Sequence, residues 1–538
     1  MNKLRITLAQ IDFVVGRIEG NRDRILEVIK DAQQDKVDLV LFPELCLTGY
    51  PPEDLLLRKD FLDRVDSALE EIARATQNIS AVIGFPERQN GQLFNSAAIL
   101  KDGLKIQTYQ KRLLPNYGVF DEKRYFASGE APCVFELNGL KIGLTLCEDI
   151  WHEGPVEASV AAGADLIVSL NASPFHAGKL NERHRLVKAR AIAHHTPIAY
   201  VNLVGGQDEL VFDGASFAVD GLGNLCFQAP EFKEAVEVLE IETQPAIHLL
   251  QGLMTAPLDE DARIYEALVT GIRDYVQKNG FQGAVLGLSG GIDSALTLAL
   301  AADALGPEQV EVISMPSRYT ADMSNEDARL EAEALGCKMH TIPIEPAFKT
   351  FLGMLEPAFE GRPADLTEEN IQARCRGLLL MALSNKKGKI LLTTGNKSEM
   401  SVGYATLYGD MAGGFAPLKD IPKLLVYRLS RYRNTLSPVI PERVLTRAPS
   451  AELRPDQRDE DSLPPYPVLD DILERYIERD QSITDIIAAG LPEQDVRRVA
   501  RMVDRNEYKR RQAPPGVKVT PRAFGRDRRY PMTHGFSH

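Results

Sequence analysis

The feature that most constrains the fold is a glycine-rich turn between a predicted strand and a predicted helix. The apolar run AVLGL (284–288) precedes Ser289-Gly290-Gly291-Ile292-Asp293-Ser294, and the helical pattern ALTLALAADALG follows directly. Paired glycines let backbone N–H groups approach an anion, and the helix N-terminus adds partial positive charge. We therefore expect a pyrophosphate-binding turn, although it lacks the lysine of a P-loop. The alternative interpretation is a tight turn that contains serine and glycine by chance.

A chain of 538 residues is too long for one core and suggests two large domains or three to four small ones, and the pattern of predicted elements favours two α/β domains. Strand-like and helix-like segments alternate over 1–245, and we place a linker at 246–262, where periodicity is lost. Repeated strand–helix units over 263–538 predict a parallel sheet with helices on both faces. The ligand crevice of such a sheet lies at the carboxyl ends of its strands.

Composition excludes several classes of partner. The net charge of −14 argues against nucleic acid, and no apolar run approaches the ~18 residues of a membrane helix. The N-terminal segment alternates like a strand, so we expect no signal peptide. The six cysteines are scattered and form no CxxC pair, which argues against zinc or disulfides and favours the cytoplasm.

Three reactive side chains each follow a predicted strand in the first domain. Glu44 follows VDLVLFP, Lys111 follows KIQTYQ, and Cys147 follows KIGLTL. If the strand ends converge, Glu44 can deprotonate the thiol and Lys111 can favour the thiolate and an oxyanion. This chemistry suits amide hydrolysis through a thioester. Taken singly, each residue has a plainer interpretation, as a solvated loop acid, a surface lysine or a buried inert cysteine.

Together these segments resemble the nitrilase, or carbon–nitrogen hydrolase, superfamily. The strings FPELCLTGYPPEDLL, KRLLPNYGVFDEKRYF and LCEDIW carry the resemblance. It implies an N-terminal α-β-β-α sandwich with Glu44, Lys111 and Cys147 as catalytic residues. Similarity to the glutamine-using branch implies glutamine contacts from Tyr117, Glu148, Ser173 and Lys179, with Phe120 walling the pocket. The alternative for Lys179 is a helix-capping sequence.

The turn at 289–294 resembles the SGGxDS loop of the ATP pyrophosphatase family, whose members cleave ATP between its α- and β-phosphates. Its fusion to a nitrilase-like domain resembles the glutamine-dependent NAD synthetase family along nearly the whole chain. The supporting strings are SGGIDSA, MPSRYT, NIQARCR, TTGNKSEMSVGYATLYGDMAGGFAPLKD and NEYKRR. The resemblance implies a Rossmann-like, doubly wound parallel sheet in the second domain.

The same resemblance implies residue roles in the second domain. ATP contacts would be Gly287, Leu288, Ser289, Gly290, Gly291, Ile292, Asp293, Ser294 and Thr394. Deamido-NAD contacts would be Asn370, Arg374 or Arg376, Glu399 and Lys509. Asp293 and Glu399 would hold Mg²⁺, the implied cofactor, with ATP as co-substrate.

Simple chemistry agrees with the metal assignment. A carboxylate in a phosphate loop repels phosphate unless a cation lies between them, which favours metal binding by Asp293 over N-capping. For Glu399 the alternative is an acid placed at a helix N-terminus.

The expected activity is therefore glutamine-dependent amidation of deamido-NAD, with a homo-oligomer implied by resemblance. The first alternative is another amidotransferase of the same ATP chemistry, such as a GMP or asparagine synthetase. The second is a sensor that binds nucleotide and glutamine without turnover.

Overall fold

The structure is a computed structural model that describes residues 3–244, 247–455 and 457–536. The chain divides into two compact units, residues 1–260 and 261–538, which are described separately. Among the residues that the structure describes, no helix has the length and apolarity needed to cross a bilayer.

The first unit consists of strands with a few helices. Its strands are β1 (Lys3–Gln10), β2 (Leu39–Leu41), β3 (Ser80–Gln89), β4 (Gln92–Lys101), β5 (Leu104–Gln110), β6 (Val134–Leu137), β7 (Leu140–Leu146), β8 (Leu166–Asn171), β9 (Ile198–Asn202), β10 (Val204–Gln207), β11 (Leu210–Asp213), β12 (Phe217–Val219), β13 (Leu225–Gln228), β14 (Ala235–Glu242) and β15 (His248–Leu249). Its helices are α1 (Ile18–Gln34), α2 (Lys59–Ala75), α3 (Glu148–Trp151), α4 (Pro155–Ala161) and α5 (Lys179–His194).

These strands form two large mixed sheets. The first has the order β15-β14-β1-β2-β3-β4-β5, and the second has the order β13-β12-β9-β8-β7-β6. β1, β2 and β3 run parallel, with Ile6 opposite Leu39 and Leu39 opposite Ser80. β7, β8 and β9 also run parallel, with Ile142 opposite Leu166. A separate two-stranded ribbon pairs β10 with β11.

Alternate residues of the central strands serve two different cores. On β2, Leu39 and Leu41 join a cluster shared by the two sheets, whereas Val40 joins the cluster that contains α1 and α2. On β8, Leu166 faces the shared cluster and Ile167 faces α4 and α5. Successive side chains of a strand point to opposite faces, so a strand buried on both faces is apolar throughout. The predicted α-β-β-α sandwich is confirmed.

The second unit is richer in helices. Its strands are β16 (Ala284–Gly287), β17 (Val310–Ser314), β18 (Lys338–Thr341) and β19 (Ile390–Leu391). Its helices are α6 (Glu260–Lys278), α7 (Ile292–Leu305), α8 (Asp322–Leu335), α9 (Glu345–Phe359), α10 (Leu366–Lys387), α11 (Lys397–Val402), α12 (Lys423–Leu436), α13 (Glu442–Thr446), α14 (Tyr466–Leu473), α15 (Ile483–Ala488), α16 (Glu493–Arg505) and α17 (Glu507–Arg510).

The second unit has a parallel sheet of order β18-β17-β16-β19. Val285 and Ile313 point into a cluster with α9 and α10, while Leu286 and Val312, on the opposite face, are equally buried. Both faces are therefore covered, as the prediction of a doubly wound α/β domain requires. A further apolar cluster joins α11 with α14, α15 and α16.

Part of the span predicted as a linker has regular structure. β15 pairs with β14, Ile241 lying opposite Leu249, and α6 starts at Glu260. The strand was missed because a two-residue element carries no readable periodicity. The boundaries 1–245 and 263–538 stay predictions.

One buried acid in α8 gives a prediction about stability. Both carboxyl oxygens of Glu331 are buried without a hydrogen-bond partner, and burial, followed by the nearby Asp327, raises its pKa well above 4.5. Unfolded chains ionise this group near 4.5 while folded chains keep the proton, so stability falls as the pH rises above 4.5. We expect Glu331→Met to stabilise the protein by about 1–3 kcal/mol at neutral pH.

Denaturation midpoints measured from pH 5 to pH 8 test this expectation. The difference between Glu331→Met and the parent chain should widen as the pH rises. Glu333→Met, an exposed change on the same helix, is the matched control, because Glu333 pairs with Arg329 at the surface. A difference of the same size at both ends of the pH range would contradict the prediction.

Candidate active sites

In the first unit, the nucleophile candidate lies at the end of β7. Cys147 is buried and adopts φ 43° and ψ −92°, a region that costs a non-glycine residue about 1–3 kcal/mol. Its N–H donates to the Leu170 carbonyl at 3.0 Å. This conformation fixes the side chain where the strand gives way to α3.

The base candidate Glu44 is buried and fully hydrogen-bonded. Its Oε1 accepts from Lys111 Nζ at 2.7 Å and from Asn95 Nδ2 at 2.8 Å, and its Oε2 accepts from the Ala172 N–H at 3.1 Å. Glu44 and Lys111 follow strands of the first sheet, whereas Ala172 follows a strand of the second. The convergence expected from the sequence therefore occurs between the two sheets.

Electrostatics keep the resting thiol protonated. Burial and the nearby Glu44 raise the pKa of Cys147 well above its ordinary value, and Lys111 acts in the opposite direction. Burial alone lowers the pKa of Lys111, but Glu122 and Glu44 more than offset it, so the group stays an ammonium. The thiol therefore needs a base to take its proton, and Glu44 is the adjacent carboxylate.

A second glutamate completes this cluster and was missed from the sequence. Both oxygens of Glu122 accept from Lys111 Nζ, at 2.8 and 2.9 Å, and Oε1 also accepts from the Tyr50 hydroxyl at 2.9 Å. Burial raises the pKa of Glu122, while Lys111 lowers it. Lys111 is thus held between two carboxylates. No local pattern in the sequence pairs Lys111 with Glu122, eleven positions further along the chain.

Two of the four predicted glutamine contacts meet directly. The Tyr117 hydroxyl donates to both oxygens of Glu148, at 3.1 and 3.0 Å, and His152 Nε2 lies 2.8 Å from Glu148 Oε1. Phe120 packs edge-on against Tyr117, with ring centroids 5.6 Å apart. Tyr117 therefore joins Glu148 and Phe120 in one group of contacting side chains.

The other two predicted contacts are anchored separately. Lys179 Nζ lies 3.8 Å from the ring centroid of Trp151, a neighbour of Glu148 on α3. The Ser173 N–H donates to Asn202 Oδ1 at 3.0 Å, and its carbonyl accepts from Arg183. Arg183 forms a fully buried ion pair with Asp213 that the sequence did not reveal.

In the second unit, the glycine-rich turn follows β16 as predicted. Gly290 has φ 79°, and a Cβ placed there would lie 2.2 Å from the Ser324 carbonyl oxygen, so only glycine fits. Ser289 Oγ accepts from the Gly291 N–H at 3.1 Å and lies 3.1 Å from Ser294 Oγ. α7 then begins at Ile292. The first N–H groups of a helix have no partner within the helix, so those of α7 point toward the turn.

The two predicted metal ligands converge on one lysine. Asp293 Oδ2 accepts from Lys423 Nζ, which also lies 3.4 Å from Glu399 Oε1. Asn396 Nδ2 donates to Asp293 Oδ1 at 2.8 Å. Burial and the neighbouring Asp293 raise the pKa of Glu399, and Lys423 lowers it. Glu399 also forms a capping box with Asn396 at the start of α11, so its alternative role as a helix acid is realised as well.

These carboxylates fit Mg²⁺. The described parts of the chain contain no group of three or more His, Cys, Asp or Glu side chains that could hold a metal by themselves. Mg²⁺ is commonly bound through one or two carboxylates together with substrate phosphates, and Asp293 and Glu399 supply that number at the glycine-rich turn.

The glycine-rich turn, Asp293 and Glu399 line a cleft of about 290 Å³. All the predicted ATP residues except Gly290 line it, including Thr394. Further lining residues that sequence reasoning did not assign to ATP are Arg376, Lys423, Arg447 and Asp459. These side chains come from four separate segments, so no local pattern joins them.

Three of the predicted dinucleotide residues lie together around the segment 403–407, whose Tyr404 lines the same cleft. Asn370 Oδ1 accepts from Thr406 Oγ1 at 2.8 Å, and Arg374 Nε donates to the Leu407 carbonyl at 3.2 Å. Lys509 Nζ donates to the carbonyls of Gly403 and Ala405. Of the two arginines considered, Arg376 lines the cleft and Arg374 is exposed.

Comparisons with known proteins identify the family of each half of the chain. Residues 5–246 match the carbon-nitrogen hydrolase family and residues 264–513 match the NAD synthase family. The chain thus joins a domain of the carbon-nitrogen hydrolase family to a domain of the NAD synthase family.

Relatives resolve the class further. The glutamine-dependent NAD(+) synthetase of Xanthomonas campestris is 51% identical, with 99% of this chain and 98% of the relative covered. That of Acinetobacter baylyi is 49% identical, with coverage of 100% and 99%. The structure of the Acinetobacter baumannii enzyme in complex with ADP is 46% identical with a TM-score of 0.82, covering 99% of this chain and 98% of that one. The chain belongs to the glutamine-dependent NAD(+) synthetase family.

Proposed function

We propose that this chain is a carbon–nitrogen ligase that makes NAD⁺ from deamido-NAD, ATP and glutamine. The observation that carries the proposal is the pairing, in one chain, of a buried Cys147–Glu44–Lys111 cluster with a phosphate-binding turn beside Asp293 and Glu399. The first cluster suits release of ammonia from an amide, and the second suits activation of a carboxylate by ATP.

The hydrolytic half begins with the thiol. Glu44 takes the proton of Cys147 as the sulfur attacks the side-chain amide carbon of glutamine. Lys111, held by Glu44 and Glu122, stabilises the negative charge that develops on sulfur and on the carbonyl oxygen. Collapse of the tetrahedral intermediate breaks the carbon–nitrogen bond, and Glu44 returns the proton to the departing ammonia. Water activated by Glu44 then cleaves the thioester and releases glutamate.

Five residues support glutamine binding. Glu148 offers a carboxylate for the α-ammonium group, with Tyr117 and Phe120 beside it. Ser173 follows β8, next to the Ala172 N–H that holds Glu44. The Lys179 ammonium group, which lies over the Trp151 ring, supplies a positive charge for the α-carboxylate of glutamine.

The synthetic half uses the turn at Gly287–Ser294 to orient ATP. Its backbone N–H groups and the start of α7 face the phosphates, so the carboxylate oxygen of deamido-NAD can attack the α-phosphorus and release diphosphate. Asp293 and Glu399 would hold Mg²⁺, which neutralises phosphate charge when bound. Ammonia then attacks the acyl carbon, AMP leaves, and the nitrogen gives up a proton.

The dinucleotide contacts belong to the same proposal. Asn370, Arg374 and Lys509 meet at the segment 403–407, a glycine-flanked segment suited to a substrate loop, and Arg376 reaches the cleft. We propose that Glu399 serves both the metal and this substrate. We further propose a cytoplasmic homo-oligomer without nucleic-acid or membrane partners, and light scattering of the purified chain can test its oligomeric state.

The direct test measures products of the purified chain with deamido-NAD, ATP and Mg²⁺. We expect NAD⁺, AMP and diphosphate with either glutamine or ammonium as the nitrogen source, and glutamate only with glutamine. A sensor without turnover would release no diphosphate. If diphosphate release requires a carboxylate other than that of deamido-NAD, the acceptor substrate is that other compound.

A further inference from the structure

The first site contains a buried carboxylate that the mechanism does not use. Asp149 lies two residues after Cys147, and none of its surface is exposed. We infer that Asp149 is a positioning residue that holds the Lys111 segment and the Cys147 turn at a fixed separation. The inference rests on the proposed function of the first unit.

One oxygen of Asp149 organises the segment that carries the lysine. Oδ1 accepts from the N–H of Arg112 at 3.2 Å and from that of Leu113 at 2.9 Å, the two residues that follow Lys111. Lys111 itself donates its N–H to the Asn95 carbonyl at 2.8 Å. The backbone on both sides of the ammonium group is therefore fixed, on one side by β4 and on the other by Asp149.

The other oxygen organises the turn that carries the cysteine. Oδ2 accepts from the Leu146 N–H at 3.1 Å, immediately before Cys147, and from the Tyr109 hydroxyl at 2.8 Å. A residue at positive φ persists only when its surroundings hold it there. The Leu146 contact anchors the residue that enters this turn.

These four contacts join the two sheets. Tyr109 lies on β5 of the first sheet and Leu146 lies on β7 of the second, while Asp149 is the second residue of α3. The catalytic cluster is divided in the same way, with Glu44 and Lys111 following the first sheet and Cys147 the second. Because the Asp149 carboxylate accepts hydrogen bonds from both sheets, it sets the distance between the Lys111 ammonium group and the Cys147 thiol. Buried hydrogen bonds of this kind act as a unit, so losing one acceptor disturbs both segments.

The test variant is Asp149→Asn, which keeps the size of the side chain but replaces one acceptor oxygen with a donor group. We expect kcat for glutamine hydrolysis to fall about 10- to 100-fold, with KM changed less than about threefold, because misplacement by about 1 Å can cost a factor of 100. NAD⁺ formation driven by ammonium should be unchanged.

A second readout separates positioning from a purely structural role. Alkylation of Cys147 by iodoacetamide, measured against pH, reports how strongly the lysine favours the thiolate. With Lys111 displaced, we expect the midpoint to move upward by about one pH unit. Asp220→Asn is the matched control, because Asp220 accepts from the Leu222 and Asn224 N–H groups in a turn after β12, outside the site.

Each outcome decides the matter. Wild-type kcat and an unshifted alkylation profile in folded Asp149→Asn would overturn the inference, even if the denaturation midpoint fell. If Asp149→Asn does not fold, Tyr109→Phe decides instead: a three- to tenfold loss of glutamine-driven kcat supports the inference, and no loss overturns it. Failure of the parent chain to hydrolyse glutamine would count against the proposed function, independently of these variants.

Discussion

Replacing Cys147 by alanine is expected to abolish NAD⁺ formation from glutamine while the ammonium-driven reaction continues. Within the cluster of Cys147, Glu44 and Lys111, the sulfur of Cys147 is the atom that can form the thioester. Loss of the nucleophile from such a cluster lowers kcat more than about 10⁴-fold. Ammonium bypasses this step because it supplies the nitrogen directly to the second site. Parallel assays of Cys147→Ala with glutamine and with ammonium measure both rates.

Cys226→Ala is the control for this experiment. Cys226 is also buried but lies on β13, away from Glu44 and Lys111, so both rates should match those of the parent chain. Glutamine-driven synthesis by folded Cys147→Ala at more than one-tenth of the parent rate would contradict the assignment of the nucleophile. Loss of the ammonium-driven rate as well would show that the change reaches beyond the first site.

Replacing Asp293 by asparagine is expected to reduce NAD⁺ formation at least about 100-fold with either nitrogen source. Its carboxylate accepts from Lys423 and Asn396 within the glycine-rich turn that we propose binds phosphate, so the change removes one of two negative charges available to a phosphate-bound cation. Asparagine keeps the shape and the hydrogen-bonding capacity toward Lys423. Diphosphate release in the presence of deamido-NAD, ATP and Mg²⁺ measures the adenylation step directly.

Asp303→Asn is the matched control for this change. Asp303 lies near the other end of α7, where it pairs with Arg433 and accepts from the Tyr265 hydroxyl. We expect it to lower the denaturation midpoint and leave diphosphate release intact. A rate for Asp293→Asn within tenfold of the parent chain, at saturating Mg²⁺, would refute metal binding by this residue.

The elements and residues that the sequence predicted well share one property, a local pattern. β2, for example, is apolar throughout because both of its faces are buried, and Glu44, Lys111 and Cys147 each follow a strand, as the sequence indicated. The turn at 289–294 combines glycine, serine and an acid in six residues. In each case the physical requirement acts over a few neighbouring positions.

The partners that sequence reasoning missed are set by distant contacts. Lys423 reaches Asp293 from α12, 130 positions further along the chain. Glu122 lies in a short turn without periodicity, and Glu331 is buried on a helix of largely polar sequence. Asn370, Arg374 and Lys509 were expected to contact substrate, and their positions around 403–407 leave that role a proposal. Only tertiary packing determines which of these charges meet.

The alternation of β2 and β8 between two cores limits how this first domain can evolve. A substitution at Leu39 affects the layer between the sheets, and one at Val40 affects the helical layer, so the two layers can change composition separately. An inserted or deleted residue would exchange the faces of the whole strand. Homologous chains should therefore vary in residue identity within these strands and differ in length only between them.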